Sequence, residues 1–319
     1  MFNLNDFKEK QIVFIQSQDL NEGIRFRNEN LVFEKEGKIA NQLSCHKILT
    51  VFIMGNTTIT SNFIKQAISF GISVFLMNRN FFLYATIEAK AEGNYLLREK
   101  QYKNSQADDF LMAKQLIKNK TFNQLALLES VGKINDVKER KKKIWDKIDE
   151  VQIEKELLGI EGEMSRRFFS LYFEEADWYR RLPRAKQDET NLLLDMGYTF
   201  LFNYIDCLLR LFGFDVYRGF YHKFFFKRKS LSCDVMEPFR CLIDRAILKM
   251  YHLKIFNKKD FKYQKCQYIL PWQNSRKYNQ YFLEEIMKNK VEIYDYVLKF
   301  YRHMMDKNKE FPQFKPRFK

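Results

Sequence analysis

Proline and glycine are scarce in this chain, 5 and 11 among 319 residues. That excludes collagen-like, mucin-like and Pro/Gly-rich disordered chains. Cysteine is equally thin. Cys45, Cys207, Cys233, Cys241 and Cys266 form no Cys-x-x-Cys pair, which argues against a zinc knuckle or a disulfide scaffold and predicts reduced, packed thiols. Met1 to Lys10 lacks an apolar h-region and carries Asp6, Lys8, Glu9 and Lys10, so no secretory signal is read there and a soluble, cytoplasmic protein is expected. No uninterrupted membrane-length run occurs. The greasiest helical stretch, Asn191 to Leu211, is broken by Asp195 and Asp206 and predicts a buried core helix. There is also no Gly-x-x-x-x-Gly-Lys-[Ser/Thr] phosphate loop.

What is present describes a folded, basic chain. Hydrophobic residues make up 46% and aromatic residues 16%, enough for a core in each of two domains of roughly 100 to 200 residues. The formal net charge of +15 is unevenly spread. Residues 1–95 hold 10 Lys+Arg against 9 Asp+Glu, which leaves 45 against 31 for residues 96–319. A one-sided positive field points to a polyanion such as nucleic acid, or to an anionic membrane face, and charge alone does not choose between them.

Up to about Glu88 the chain reads as short extended runs rich in Val, Ile, Phe and Thr: Gln11 to Gln16, Leu31 to Glu34 before a Glu36-Gly37 turn, Ile48 to Met54, Ile72 to Met77 and Phe81 to Ile87. One helix interrupts them, capped by Thr60 or Ser61, carrying Phe63, Ile64, Ala67 and Ile68, and ending near Gly71. From about Tyr95 helical periods take over in Ala107 to Ser130, Asn135 to Phe173, Thr190 to Leu211, Asp234 to Leu253 and Tyr281 to His303. The expected fold class is α+β. A mainly β domain spans 1–92, a larger, nearly all-α domain spans 93–306, and an extended basic and aromatic tail over 307–319 docks on something.

Some polar residues fall where apolar ones belong. The inward stripe of the Asn135 to Phe173 segment is expected at Leu157, Glu161, Met164, Phe168 and Leu171. Glu161 must then be protonated, paired or bound to a cation, because a lone buried carboxylate is very costly. Gly159 and Gly162 each cost roughly 1 kcal/mol relative to Ala, and their thinness admits another backbone or a ligand. A second place is Gly219-Phe220-Tyr221-His222, followed by the cationic, aromatic run Lys223 to Lys229. Alone, His222 reads as a packing residue; its company lifts it. Asp234 and Glu237, at i and i+3, can share one helix face beside the bend that Pro238 implies, although favourable placement against the helix dipole explains either alone.

Glu161, His222 and Glu237 together offer two hard oxygens and an imidazole, which suit Mg²⁺ or Mn²⁺ better than structural zinc. Residue chemistry alone thus reaches a metal-dependent enzyme acting on nucleic acid. The alternative is a non-catalytic DNA-binding or scaffolding protein in which these residues form a buried ion pair.

The motifs resemble those of the CRISPR-associated spacer-acquisition integrases, the Cas-one family. Gly159-Ile160-Glu161-Gly162 matches the family's glutamate helix, Gly219 to His222 its Gly-Phe-x-His element, and Ser230 to Arg240 its Ser-Leu-x-x-Asp-Leu-Met-Glu-Pro-Phe-Arg element. Asn191 to Tyr198 resembles the Asn-x-Leu-Leu-x-x-Gly-Tyr helix, and Gly55 to Thr60 with Gly71 to Phe75 resembles the β-domain core. The resemblance implies an N-terminal homodimerisation domain and a C-terminal catalytic domain with one divalent-metal site, held by Glu161, His222 and Glu237; it leaves open whether Asp234 is a supporting ligand. It implies attack of a foreign fragment's 3′-hydroxyl on a repeat phosphodiester, a small Cas-two partner, and in some systems a Cas-four nuclease.

DNA-contact candidates are Arg166 and Arg167 after Glu161, and Lys223, Lys227, Arg228 and Lys229 after His222. Arg240 and Arg245 are expected to pair with acids instead. Phe224 to Phe226 read first as core-filling and second as a platform for splayed bases. The Lys138 to Lys143 run reads as a solvated helix face.

Overall fold

A computed structural model describes residues 10–17, 22–78, 83–88, 94–176, 178, 180–222 and 226–318. The border predicted at Ala91 to Gly93, and Lys223, Phe224 and Phe225, lie outside the described residues. The chain is α+β, with two compact units: one from the described part of Met1–Gln101 together with Asp206–Asp215, the other from Tyr102–Ile205 and Val216–Lys319.

In the first unit, β1 (Gln11–Ser17), β5 (Ile48–Gly55), β6 (Ser73–Met77) and β7 (Leu83–Ile87) form a sheet in that order. β1 and β6 both run parallel to β5, and β7 is antiparallel to β6. Parallel β5 and β6 need a crossover, which α1 (Ser61–Ser69) supplies; the Thr60 hydroxyl accepts from the Phe63 amide at 3.2 Å as its cap. A separate meander joins β2 (Glu22–Arg27), β3 (Asn30–Lys35) and β4 (Lys38–Ser44). Its two-residue turns, Asn28-Glu29 and Glu36-Gly37, have positive φ throughout, the backbone that matches strand twist in tight hairpins. β2 and β4 were not expected. β4 is polar and largely exposed, so it carries no hydrophobic alternation to read.

α2 (Tyr95–Lys103) carries the chain past Gln101, where the first unit's main segment ends, and the second unit follows. Here α3 (Gln106–Ser130) begins at Ser105, whose hydroxyl accepts from the Asp108 amide at 3.1 Å. The segment expected as one helix over Asn135 to Phe173 is two, α4 (Val137–Glu150) and α5 (Glu154–Tyr172). Val151 and Ile153 adopt extended backbone between them, a break that neither glycine nor proline announces. The expected stripe on α5 is also shifted. Leu157, Ile160, Phe168, Phe169 and Tyr172 are buried, whereas Leu171 is exposed.

α6 (Glu189–Phe212) is, among the described residues, long and apolar enough to cross a membrane, but 78% of its apolar window is buried. Asp195 pairs with Arg181, and Asp206 accepts from Arg210 at 3.1 Å, so it is the core helix that was expected. Gly197 lets α8 (Arg240–His252) and α9 (Trp272–Lys288) close on it: a Cβ there would lie 2.4 Å from Ile243 and 2.9 Å from Phe282. α7 (Ser230–Met236) leads through a 3₁₀ turn, Glu237–Phe239, into α8, the bend that Pro238 predicted. A β8–β9 hairpin (Lys262–Gln264, Gln267–Ile269) and α10 (Lys290–Met305) complete the unit.

Candidate active site

Three segments of the helical unit meet around one buried ammonium group. The α3 residue Lys120, 5% exposed, pairs with Glu161 Oε1 on α5 and lies 2.7 Å from Glu237 Oε2 at the α7–α8 bend. Burial alone would lower the lysine's pKa, but the two carboxylates outweigh it and raise it. Burial likewise works to raise the pKa of Glu161; the Lys120 charge and hydrogen bonds from Lys120 and Tyr221 overcome this and hold it down at about 2. Tyr221 donates its hydroxyl to Glu161 Oε2 at 2.8 Å. Arg240 closes the network on Glu237 Oε1 at 2.9 Å, with its guanidinium 4.9 Å from the centre of the Tyr198 ring.

Asp234 organises the neighbouring loop. Fully buried, it accepts the amides of Phe220, Tyr221 and His222 at 2.7, 3.0 and 2.8 Å. Its Oδ1 also meets His222 Nδ1 at 2.6 Å. A carboxylate only accepts, so Nδ1 carries the proton and a neutral ring leaves Nε2 as its lone-pair donor. Gly219 is required here because a Cβ would lie 2.7 Å from both Asp234 Oδ2 and the Ser230 Cβ.

The structure therefore joins Glu161 and Glu237 through Lys120 and sets His222 on the adjoining loop, its ring 5.2 Å from that of Tyr221. Asp234 and Glu237 do not converge on one point. Asp234 faces the loop and Glu237 faces α3 and α5. Among the described residues no three His, Cys, Asp or Glu side chains come close enough to grip one ion. The donor chemistry nonetheless fits a hard divalent cation. Glu237 Oε2 is buried, and apart from the Lys120 ammonium paired with it at 2.7 Å it has no hydrogen-bond partner among the described residues. The Lys120 ammonium stands where positive charge is needed between two carboxylates, and the imidazole is held in the tautomer that a metal ligand requires.

The remaining candidates scatter. Gly159 and Gly162 face open space, with nothing within 4 Å of a Cβ at either. Arg166 and Arg167 are exposed, and Arg167 pairs with Glu163 at 2.8 Å. Lys227 is exposed with its ammonium 5.1 Å from the Phe226 ring centre. Phe226 is 84% exposed, which corrects the core-filling expectation for that residue. Arg228 is half-buried beside the Cys233 thiol, and Lys229 is half-buried ahead of α7. Arg245 pairs with Glu285 at 3.4 Å.

Sequence reasoning passed over α3. Asn123 donates to the Pro238 carbonyl at 2.8 Å and fixes the bend that carries Glu237. The signal was available: Lys120, Asn123 and Gln124 recur at helical spacing inside Ala107 to Ser130, where a core helix would carry apolar residues.

The family model for CRISPR associated protein Cas1 matches residues 14–284. The chain belongs to the Cas1 family. It is 30% identical over 263 residues to a CRISPR-associated endonuclease Cas1 of Thermodesulfovibrio yellowstonii, covering 78% of this chain and 82% of that one. By fold it is similar to a casposase bound to integration product, with a TM-score of 0.77 at 20% identity, covering 96% and 94% of the two chains. The same holds for a chain of a partial Cas6-RT-Cas1–Cas2 complex, with a TM-score of 0.71 at 20% identity over 96% of this Cas1 chain and 100% of that chain.

Proposed function

We propose that this Cas1 chain is a divalent-metal-dependent DNA integrase and endonuclease of CRISPR adaptation, joining the 3′-hydroxyl of a foreign DNA fragment to a repeat phosphodiester. The observation that carries the proposal is the Glu161–Lys120–Glu237 bridge beside a His222 ring oriented by Asp234. Glu161 and Glu237 would hold Mg²⁺ or Mn²⁺ through their oxygens, and His222 through Nε2. The bound ion would stabilise the negative charge that in-line displacement builds on the phosphoryl oxygens.

The chain's own residues prepare that arrangement. Tyr221 orients the Glu161 carboxylate, Asp234 sets the His222 ring, and Arg240 neutralises part of the charge on Glu237. With four donors already on its two oxygens, Asp234 acts as a holder of the imidazole. One phosphodiester is exchanged for another, so no energy source is needed. The net +14 carried by residues 96–319 supplies a field for the DNA backbone. Homodimerisation through the β-rich unit, a Cas2 partner and a Cas4 nuclease belong to the same proposal, and Cas2 is supported by the Cas1–Cas2 complex with which this chain shares its fold.

One observation favours a second reading, a non-catalytic DNA-binding scaffold: Lys120 already balances both carboxylates as a buried ion network. The experiment that separates them is 3′-end joining in Mn²⁺ by Glu161→Ala, His222→Ala and Glu237→Ala. Loss of joining in all three with the fold intact is expected. Robust joining by all three, or activity indifferent to chelator, would favour the scaffold.

A further inference from the structure

The C-terminal tail does not project from the helical unit. Pro312 and Phe314 are buried while Gln313, Lys315 and Arg317 are exposed, an alternation that turns the apolar side chains inward and the cations to solvent. Its grip falls on the neighbours of the site residues. The Asn119 side chain donates to the Phe314 carbonyl and accepts from the Phe314 amide, both at 2.7 Å. Asn119 adjoins Lys120. The Phe314 ring lies 4.6 Å from that of Phe239, two residues beyond Glu237. Phe311 meets Phe220 at 6.2 Å and Phe300 at 5.9 Å, and Phe220 is one of the three amides that bind Asp234. Phe318 lies 5.5 Å from the Arg245 guanidinium, farther along α8. The tail thus touches α3, the 219–222 loop and the α7–α8 bend, the three places whose alignment sets Lys120, His222 and Glu237.

We propose that residues 311–318 are a positioning strap for the reaction centre, with Phe311, Phe314 and Asn119 as its fastening points. Aromatic contacts and an amide pair of this kind contribute about 1 kcal/mol each beyond what burial of the rings supplies, enough to bias how three backbone segments sit. Misplacement of reacting groups by about an ångström costs up to roughly a hundredfold in rate. The strap therefore acts on the joining step and leaves DNA affinity to the exposed cations. Its catalytic half rests on the proposed function; its structural half does not.

The test is Phe314→Ala in the full-length chain, with Phe314→Leu as a milder variant that stays buried but loses the ring contact. Amide hydrogen exchange at 220–222 and 239–240 is expected to rise about tenfold in Phe314→Ala, with β5 and β6 unchanged. Joining at saturating DNA is expected to fall about tenfold with half-saturation unchanged, and Phe314→Leu to fall between wild type and Phe314→Ala on both readouts. Exchange at 220–222 that stays at the wild-type level, or rises evenly through the chain, overturns the strap. So does a normal joining rate with loosened amides, or a shift in half-saturation alone. A wild-type chain that joins no DNA defeats the proposed function instead, and the exchange measurement then decides the strap by itself.

Discussion

β5 and α3 are both enclosed elements, yet they are built from opposite materials. β5 is buried from Ile48 to Met54 and apolar except for Thr50, whose hydroxyl donates to the Ser73 carbonyl at 2.8 Å. α3 buries Lys114, Lys118, Asn119, Lys120, Asn123 and Gln124 among its apolar residues. A strand with sheet neighbours satisfies its backbone through the ladder and needs only fitted side chains. A helix that buries cations needs a partner for each. The contrast sets an expectation: substitutions inside β5 should act on stability, whereas substitutions among α3 and its partners should reach the proposed reaction centre.

The largest expected effect lies on the polar side of that comparison. Replacing Glu161, His222 or Glu237 by alanine should lower 3′-end joining at least a hundredfold to a thousandfold, while Ile53→Val in β5 costs about 1 kcal/mol in denaturant melts and leaves the joining rate as it was. A joining rate equally sensitive to both would erase the distinction. Next in size is Lys120→Met. In chelator it leaves two carboxylates without their shared cation and should cost about 3 to 5 kcal/mol, seen as a lowered melting temperature. Added Mn²⁺ should recover part of the loss, and a melting temperature indifferent to Mn²⁺ would mean that the carboxylates form no divalent site.

A smaller effect concerns Asp244, which accepts from the Tyr198 hydroxyl at 2.6 Å. Burial pushes its carboxyl up to about 7, against hydrogen bonding from Tyr198 and the nearby Arg240 and Arg181 charges that lower it. An acid whose pKa is raised on folding favours the folded state most when protonated. Its contribution is full below the ordinary pKa near 4 and is lost as pH rises toward about 7. Asp244→Asn should therefore gain melting temperature relative to wild type between pH 4 and pH 7, with a flat difference above that window. A difference that does not change across the window would show that Asp244 is charged throughout. The smallest effect is at the surface: Arg166→Ala and Arg167→Ala should each reduce the salt slope of DNA binding by about 1, with losses within about 1 kcal/mol.

Much of the fold was legible because its signals are local. The run Ile48 to Met54, the Thr60 cap and the Asn191 to Leu211 helix carry their periodicity or cap in the chain itself. β4 was illegible because an exposed edge strand has no apolar face, and the α4–α5 break because Val151 and Ile153 continue the apolar content of the helices they separate. Glu161 was legible as a charge in an apolar helix. Its partner was not, because Lys120 lies 41 residues away and only packing brings α3 beneath α5. The same limit hid Asp234 as the acceptor that holds His222. Carboxylates three residues apart suggest a shared ligand set, whereas packing gives Asp234 to the 220–222 loop and Glu237 to Lys120 and Arg240.

The most direct test of the proposed metal centre is anomalous diffraction at the manganese edge from crystals of the full-length chain soaked in Mn²⁺. A single strong peak in contact with Glu161, Glu237 and His222 Nε2, with the Lys120 ammonium displaced from between the carboxylates, is the predicted result. Bridged carboxylates still paired with Lys120, and manganese bound only elsewhere, would contradict it.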